Sequence, residues 1–214
     1  MTGTTGSMCV VDSARVLLLR EALAQSGWVD QTRSFANSLR RVPEAGRLLL
    51  VGTPDEEPWH LAAHLDDESR LSGLAQLSPT LVRWAPPTDA PPHLSVTMSR
   101  LEAATRGETV FVVAPDAPPE SLLERVADAR RTGATILSID DGGDDMGSLA
   151  HDRIVVPTSA DARLVVTSEM PVDIDIDAVS HLVSVAAGEN LSRGSVRDRV
   201  AHMLEKLSGP PPRA

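Results

Sequence analysis

"TVFVVAPDAPPESLLERVADARRTGATILSID", residues 109–140, is the stretch on which the reading of this chain turns. Its opening run, Thr109 to Val113, is β-branched and aromatic, the composition of a buried strand. Residues 119–132 carry apolar side chains at helical spacing, Gly133 marks the stop of that helix, and residues 134–139 form a second apolar run. Strand, loop, helix and strand in this order predict a parallel crossover unit. In an open α/β sheet, ligands bind at the loop on the carboxyl end of such a strand. A phosphate site there is built from Gly, Ser and Thr, whose backbone and hydroxyls donate to the anion. This loop reads Ala114-Pro115-Asp116-Ala117-Pro118-Pro119 instead.

The same alternation extends in both directions. Helical spacing over residues 12–40 predicts one long helix or two shorter ones broken near Ser26-Gly27, and "RLLLVG", residues 47–52, predicts a short buried strand. Residues 55–68 predict a helix with Leu61 and Leu65 on one face. A strand at 81–85 ends in the stiff loop "APPTDAPP", and a weaker helix spans 93–105, before Gly107. Beyond the central unit, "DDGGDDMGSLAHD" predicts a turn leading into a helical turn at 147–150. A strand follows at 153–156, closed by Pro157, with a short sixth candidate at 163–168. A last helical region starts at Asp175 or Ala178 and runs to about residue 207, interrupted near 188–194. Within it, residues 193–206 form an amphipathic arm of the kind that docks on a partner subunit or on the domain's own sheet. Residues 1–9 and 208–214 read as disordered or flexible tails around a single domain, 10–207. Strands alternating with helices at this spacing predict a three-layer α/β sandwich with a mostly parallel five-stranded sheet and flanking helical arms.

Composition narrows the function classes. With 214 residues, 42% hydrophobic and 23% charged, the chain can bury a full core. It holds 3 Trp, 2 Phe and no Tyr, which argues against base-stacking platforms for single-stranded nucleic acid. A formal net charge of −10 opposes both nucleic acid and an anionic membrane surface as partners. A lone cysteine, Cys9, excludes a disulfide framework within the chain and fits a reducing, cytoplasmic setting. The start of the chain has no basic n-region and no A-x-A site, so it reads as a tail leading into a helix, not a signal peptide.

Four segments together carry a family resemblance. They are "AGRLLLVGTPDEEPWHLAAHL" (45–65), residues 107–139, "DDGGDDMGSLAHDRIVVP" (140–157) and the flanking helical arms. In layout they resemble the SIS (sugar isomerase) domain, closest to the phosphoheptose isomerase branch, which has flavodoxin-like topology. That branch carries a G-N-G-G-S-A loop after its first strand and an S-T-S-G-N-S loop where this chain has residues 114–119. Both of the family's loops hold a sugar phosphate through hydroxyls and helix N-terminal amides. Here the first loop becomes Gly52-Thr53-Pro54-Asp55-Glu56-Glu57, and the second loses every hydroxyl and gains prolines without N–H donors. Asp55, Glu56, Asp116 and Glu120 are instead suited to serve the helix ends themselves.

The resemblance also implies a metal site. Family members place a His and a Glu four residues apart on the helix after the first loop, and the matching positions here are His60 and His64. An i, i+4 pair directs both imidazoles to one helix face, a spacing suited to zinc and equally common on plain helix surfaces. His181 stands for the family's later histidine ligand, and Asp173 falls near its glutamine by spacing. "DDGGDD", residues 140–145, lacks EF-hand spacing and reads as a solvated acidic turn. "DIDID", residues 173–177, reads as an edge strand or helix entry.

The expected ligand cleft is therefore Gly52, Thr53, Glu56, Asp116 and Ser121, beside His60 and His64. The leading expectation is a non-catalytic, SIS-like module with no cofactor. It would bind a carbohydrate derivative or a protein partner, in a regulatory or structural role, as a homodimer or homotetramer. The alternative is a metal-assisted sugar-phosphate isomerase, with zinc on His60, His64 and His181 and with Glu56 or Glu57 as the proton-transfer base.

Overall fold

In a computed structural model that describes residues 27–156 and 175–189, five parallel strands form one sheet. They are β1 (Leu48–Gly52), β2 (Thr80–Val82), β3 (Thr109–Ala114), β4 (Thr135–Asp140) and β5 (Asp152–Val155). Their spatial order is β2-β1-β3-β4-β5, and every neighbouring pair is parallel. Helices α1 (Gly27–Arg40), α2 (Trp59–Ser72), α3 (Ser99–Glu102), α4 (Glu120–Arg131), α5 (Asp144–Leu149) and α6 (Ile176–Gly188) cover both faces.

Residue parity along each strand assigns the layers, because successive side chains point to opposite faces. Leu48, Leu50, Phe111, Val113, Leu137 and Ile139 meet α1, α2 and α6 through Phe35, Leu39, Leu61, Leu65, Val179 and Val183. Leu49, Val51, Val110, Val112 and Ile136 meet α3, α4 and α5 through Leu101, Leu122, Val126 and Met146. Every residue of β1 and β3 is buried, which explains why these strands read as unbroken apolar runs without alternation. Arg40, at the end of α1, donates to the carbonyls of Ala186, Ala187 and Glu189, and so ties α1 to the carboxyl end of α6.

The expected three-layer sandwich is present, and four local readings change. The strand expected at 81–85 is β2, which ends at Val82, so Arg83 keeps only an isolated bridge. The helix expected at 55–68 runs from Trp59 to Ser72. Pro58 lacks an N–H and disfavours helical geometry at the residue before it, so 55–57 stay in the loop. The helix then continues to Gly73, whose φ of 73° closes it in the left-handed region. The helix expected at 93–105 reduces to a single turn at Pro92–Leu94 and to α3. Between them, Thr97 forms an isolated parallel bridge with Arg83, and the Arg83 N–H donates to the Val96 carbonyl, so this segment extends alongside the end of β2. The acidic turn is not simply solvated. Asp140 is fully buried and accepts from the Ser138 hydroxyl (2.7 Å), the Gly142 N–H (2.9 Å) and the Arg153 guanidinium. Asp144 and Asp145 open α5, earlier than the predicted turn at 147–150. The Arg153 pKa is raised, first by its hydrogen bonds to Asp140. Burial opposes that shift, and the nearby charges of Asp140, Asp141 and Asp144 reinforce it.

The sixth-strand candidate, the amphipathic arm, the N-terminal half of the first helical stretch, both tails and Asp173 lie outside the described residues. Asp175 is the N-cap of α6, its carboxylate accepting from the Ala178 N–H at 2.7 Å, which resolves the end of "DIDID" as a helix entry.

Candidate functional site

The strand order reverses between β1 and β3, and in sheets of order 2-1-3-4-5 that switch point is where ligands bind. The loop after β1 folds back over it. A Cβ on Gly52 would collide with the Glu56 carbonyl and lie 2.6 Å from Pro58 Cδ, so only glycine admits this return. Thr53 is buried, and its hydroxyl accepts from the Glu56 N–H at 3.2 Å. The Trp84 indole N–H donates to the Gly52 carbonyl at 2.9 Å, and Glu57 pairs with Arg83 at 2.7 Å. The Glu56 amide that a phosphate would use here is thus already engaged by the Thr53 oxygen. Across the switch point, Asp116 is exposed, and Ser121 sits in the first turn of α4.

Neither loop uses its acids as helix caps. The N-cap positions of α2 and α4 are Pro58 and Pro119, and neither makes a side-chain capping bond. The two prolines set the entry geometry through their fixed φ.

Beside the first loop, α2 and α6 bring three histidines together. The later start of α2 puts His60 in its first turn and His64 one turn on, with Leu61 and Leu65 buried below them. His181 lies in the second turn of α6. Ring centroids are 4.6 Å apart for His60–His64, 5.0 Å for His60–His181 and 4.3 Å for His64–His181. The Nε2 atoms of His60 and His64 are 3.0 Å apart, so one imidazole donates to the other. One ring nitrogen from each histidine lies within 4.8 Å of the others, and all three side chains are half-buried. Neutral imidazoles at this spacing fit zinc, which binds histidine nitrogen at about 2.0–2.1 Å and leaves a fourth position open in three-ligand sites. Of the expected site residues, His60, His64 and His181 converge. Thr53 and Glu56 join through their own bond, while Asp116 and Ser121 stand on the far side of the switch point.

On the other side of the first loop lies a groove of about 580 Å³, lined by Asp55, Glu56, Glu57, Trp59, Arg83 and Trp84. Sequence reasoning missed it. The available signal was that Trp59 and Trp84 are two of only 3 tryptophans, one at the end of the loop after β1 and one just past β2.

An open parallel sheet with this order, two helical layers and a ligand edge at the β1–β3 switch point defines a doubly wound α/β protein of flavodoxin-like topology. Its fold is that of the SIS domains. The sugar isomerase domain of an RpiR transcription factor from Sphaerobacter thermophilus matches with a TM-score of 0.51 and 14% identity, covering 91% of this chain and 94% of its own. A protein described as sugar-binding from Salmonella typhimurium LT2 matches with a TM-score of 0.51 and 15% identity over 92% of this chain. A protein described as a phosphosugar isomerase from Silicibacter pomeroyi DSS-3 gives 0.49 and 12% over 92%. The chain spans about half the length of these last two, 53% and 55% respectively. No protein-family model and no curated protein matches the chain. Among the described residues no helix is long and apolar enough to cross a membrane.

Proposed function

We propose that this protein is a non-catalytic SIS-fold module that binds a carbohydrate derivative or a protein partner, in a regulatory or structural role in the cytoplasm, as a homodimer or homotetramer. The observation that carries this reading is the self-bonded first loop: Thr53 Oγ1 holds the Glu56 N–H, and the Glu56 carbonyl fills the space over Gly52. A phosphoryl group placed there finds the Glu56 amide already engaged and faces acids on both loops. Two like charges about 4 Å apart cost about 1 kcal/mol in water and several times that where solvent is partly excluded. In a thermal-shift screen of the full chain, sugar phosphates at millimolar concentration should leave the melting temperature unchanged. A saturable rise of several degrees overturns the reading.

A second reading, a metal-assisted aldose–ketose isomerase of the phosphoheptose isomerase type, is favoured by one observation: the convergence of His60, His64 and His181. Zinc held by these imidazoles would supply a Lewis acid to polarise a carbonyl. In that role the chain's own residues divide the work. His60 and His64 present nitrogen from one face of α2, His181 closes the triad from α6, and Glu56 is the carboxylate free to move a proton, because Glu57 is held by Arg83. Zinc content of the purified chain, with turnover of an aldose phosphate to its ketose, tests it. A metal-free or inert protein returns the choice to the first reading.

A further inference from the structure

The groove beside the first loop carries an inference independent of the histidine triad. Two indoles stand in its otherwise mostly polar lining. Trp84 is fixed by its N–H bond to the Gly52 carbonyl. Trp59 is 65% exposed yet held, because its ring stacks on His60 with centroids 5.5 Å apart and planes at 29°. A large indole standing this open at the rim of a concavity leaves apolar surface that a ligand would cover.

The lining also fixes the sign of charge. Arg83 is the one cation in the lining, and Glu57 neutralises it at 2.7 Å. Asp55 and Glu56 are exposed, and no hydrogen bond or ion pair engages either carboxylate among the described residues, so the groove holds two uncompensated negative charges. Carboxylates only accept, so a ligand must donate or be positive. Indole faces carry the negative end of the ring quadrupole, so they too attract a cation and disfavour an anion. Both features select the same ligand. A volume of about 580 Å³ lies within the range of small-molecule sites, roughly 300–1,000 Å³.

We infer that the groove between the first loop and the end of β2 binds an organic ammonium ion, its charge set against Asp55 and Glu56 and its apolar body against Trp59 and Trp84. The inference goes beyond both functional readings above and stands whether or not the histidines hold metal.

Titration calorimetry and tryptophan fluorescence on the full chain at low salt test it. Choline and glucosamine serve as cations, 3,3-dimethylbutanol and glucose as their uncharged counterparts, and glucose 6-phosphate as the anion. At least one cation should bind saturably, about tenfold or more tighter than its uncharged counterpart. Added salt should weaken that binding. Trp59→Ala, and separately Asp55→Asn with Glu56→Gln, should each weaken it about tenfold without lowering the melting temperature, since all three side chains are exposed. The inference is overturned if neither cation saturates, if the uncharged compounds bind equally well, if the phosphate binds most tightly, or if the variants bind like the parent. A negative result here, with sugar phosphates also silent, refutes the groove and leaves the non-catalytic reading standing.

Discussion

Substituting Gly52 by alanine adds one methyl group at the point where the first loop turns back on β1. An ideal Cβ there lies 2.6 Å from Pro58 Cδ, where ordinary contact begins at 3.4 Å, so the proline ring must retreat by about 0.8 Å. The Glu56 carbonyl is closer still and must move further. These obstacles are a backbone carbonyl and a ring atom, so no rotamer change relieves them. Moving residues 56–58 pulls the Glu56 N–H from Thr53, strains the entry to α2 and disturbs Glu57 against Arg83. Overpacking of this kind costs about 1–3 kcal/mol. For a chain of this length each kcal/mol lowers the melting temperature by about 2–4 °C, so Gly52→Ala should melt about 2–12 °C below the parent in calorimetry or circular dichroism. Gly27→Ala is the control: a Cβ there meets nothing within 4 Å, and stability should change by no more than about 0.5 kcal/mol. If Gly52→Ala melts within about 1 °C of the parent, the loop is not seated over the switch point and the argument against phosphate binding loses its basis.

Three further outcomes follow from the structure. Zinc at about a hundredfold excess over its dissociation constant should stabilise the parent by about 2.7 kcal/mol if the triad binds it. The double variant His60→Ala/His64→Ala should lose that shift while keeping its circular dichroism spectrum. Asp140→Asn leaves the Arg153 guanidinium without its buried counter-charge and should cost about 3–5 kcal/mol, read as a lower urea midpoint with an unchanged slope. The third concerns Glu108, whose pKa is lowered. Burial pushes it up, but bonds from Arg100 and the Thr105 N–H, with the Arg100 charge and the Thr105 hydroxyl, outweigh that burial. A carboxylate with a depressed folded pKa contributes stability above its ordinary value of 4.5 and loses it as pH falls through the lower folded value. Glu108→Gln should therefore flatten the acid limb of a stability–pH profile below about 4.5, and an unchanged limb would refute the assignment.

Strands were the most legible part of the sequence. β1 and β3 are buried along their whole length, so their apolar runs needed no partner to be recognised. The start of α2 was legible in Pro58 but masked by the acids before it, which suit a first helical turn by composition. Leu94, Met98 and Leu101 mimic helical spacing, yet the chain between them is claimed by Arg83, a partner that local reasoning cannot see. For the histidines, spacing alone pairs His60 with His64. His181 entered only through the family resemblance, since α6 lies more than a hundred residues further along the chain. The groove, beyond the placing of its two tryptophans, was hidden for the same reason. Asp55 and Glu56 follow β1, Arg83 and Trp84 follow β2, and only their parallel pairing sets the two loops side by side.

At two places on its carboxyl edge the sheet uses the chain's own atoms for bonds that a ligand could otherwise supply. After β1 the Thr53 hydroxyl engages the Glu56 amide, and after β4 the Arg153 guanidinium stands against Asp140 as a bound cation would. The second arrangement explains how "DDGGDD" folds at all. A fully buried carboxylate is tolerated only when a counter-charge and donors surround it, and Arg153, Ser138 and Gly142 provide both. A loop that carries its own cation has no need of calcium or magnesium there, which leaves the acids at 141, 144 and 145 to attract Arg153 and to open α5. With both places internally bonded, two other surfaces among the described residues flank the first loop. On the α6 side stand three imidazoles that suit a soft cation, and on the β2 side stand two indoles and two acids that suit an organic one. Trp59 joins the two, since its ring lies against His60 on one side and lines the groove as well. A positive ligand in the groove and a divalent ion on the triad would therefore repel each other across one stacked ring pair. Titrating choline or glucosamine in the presence and absence of zinc reads that coupling, and by linkage zinc must lose affinity by the same factor that the ammonium ion does.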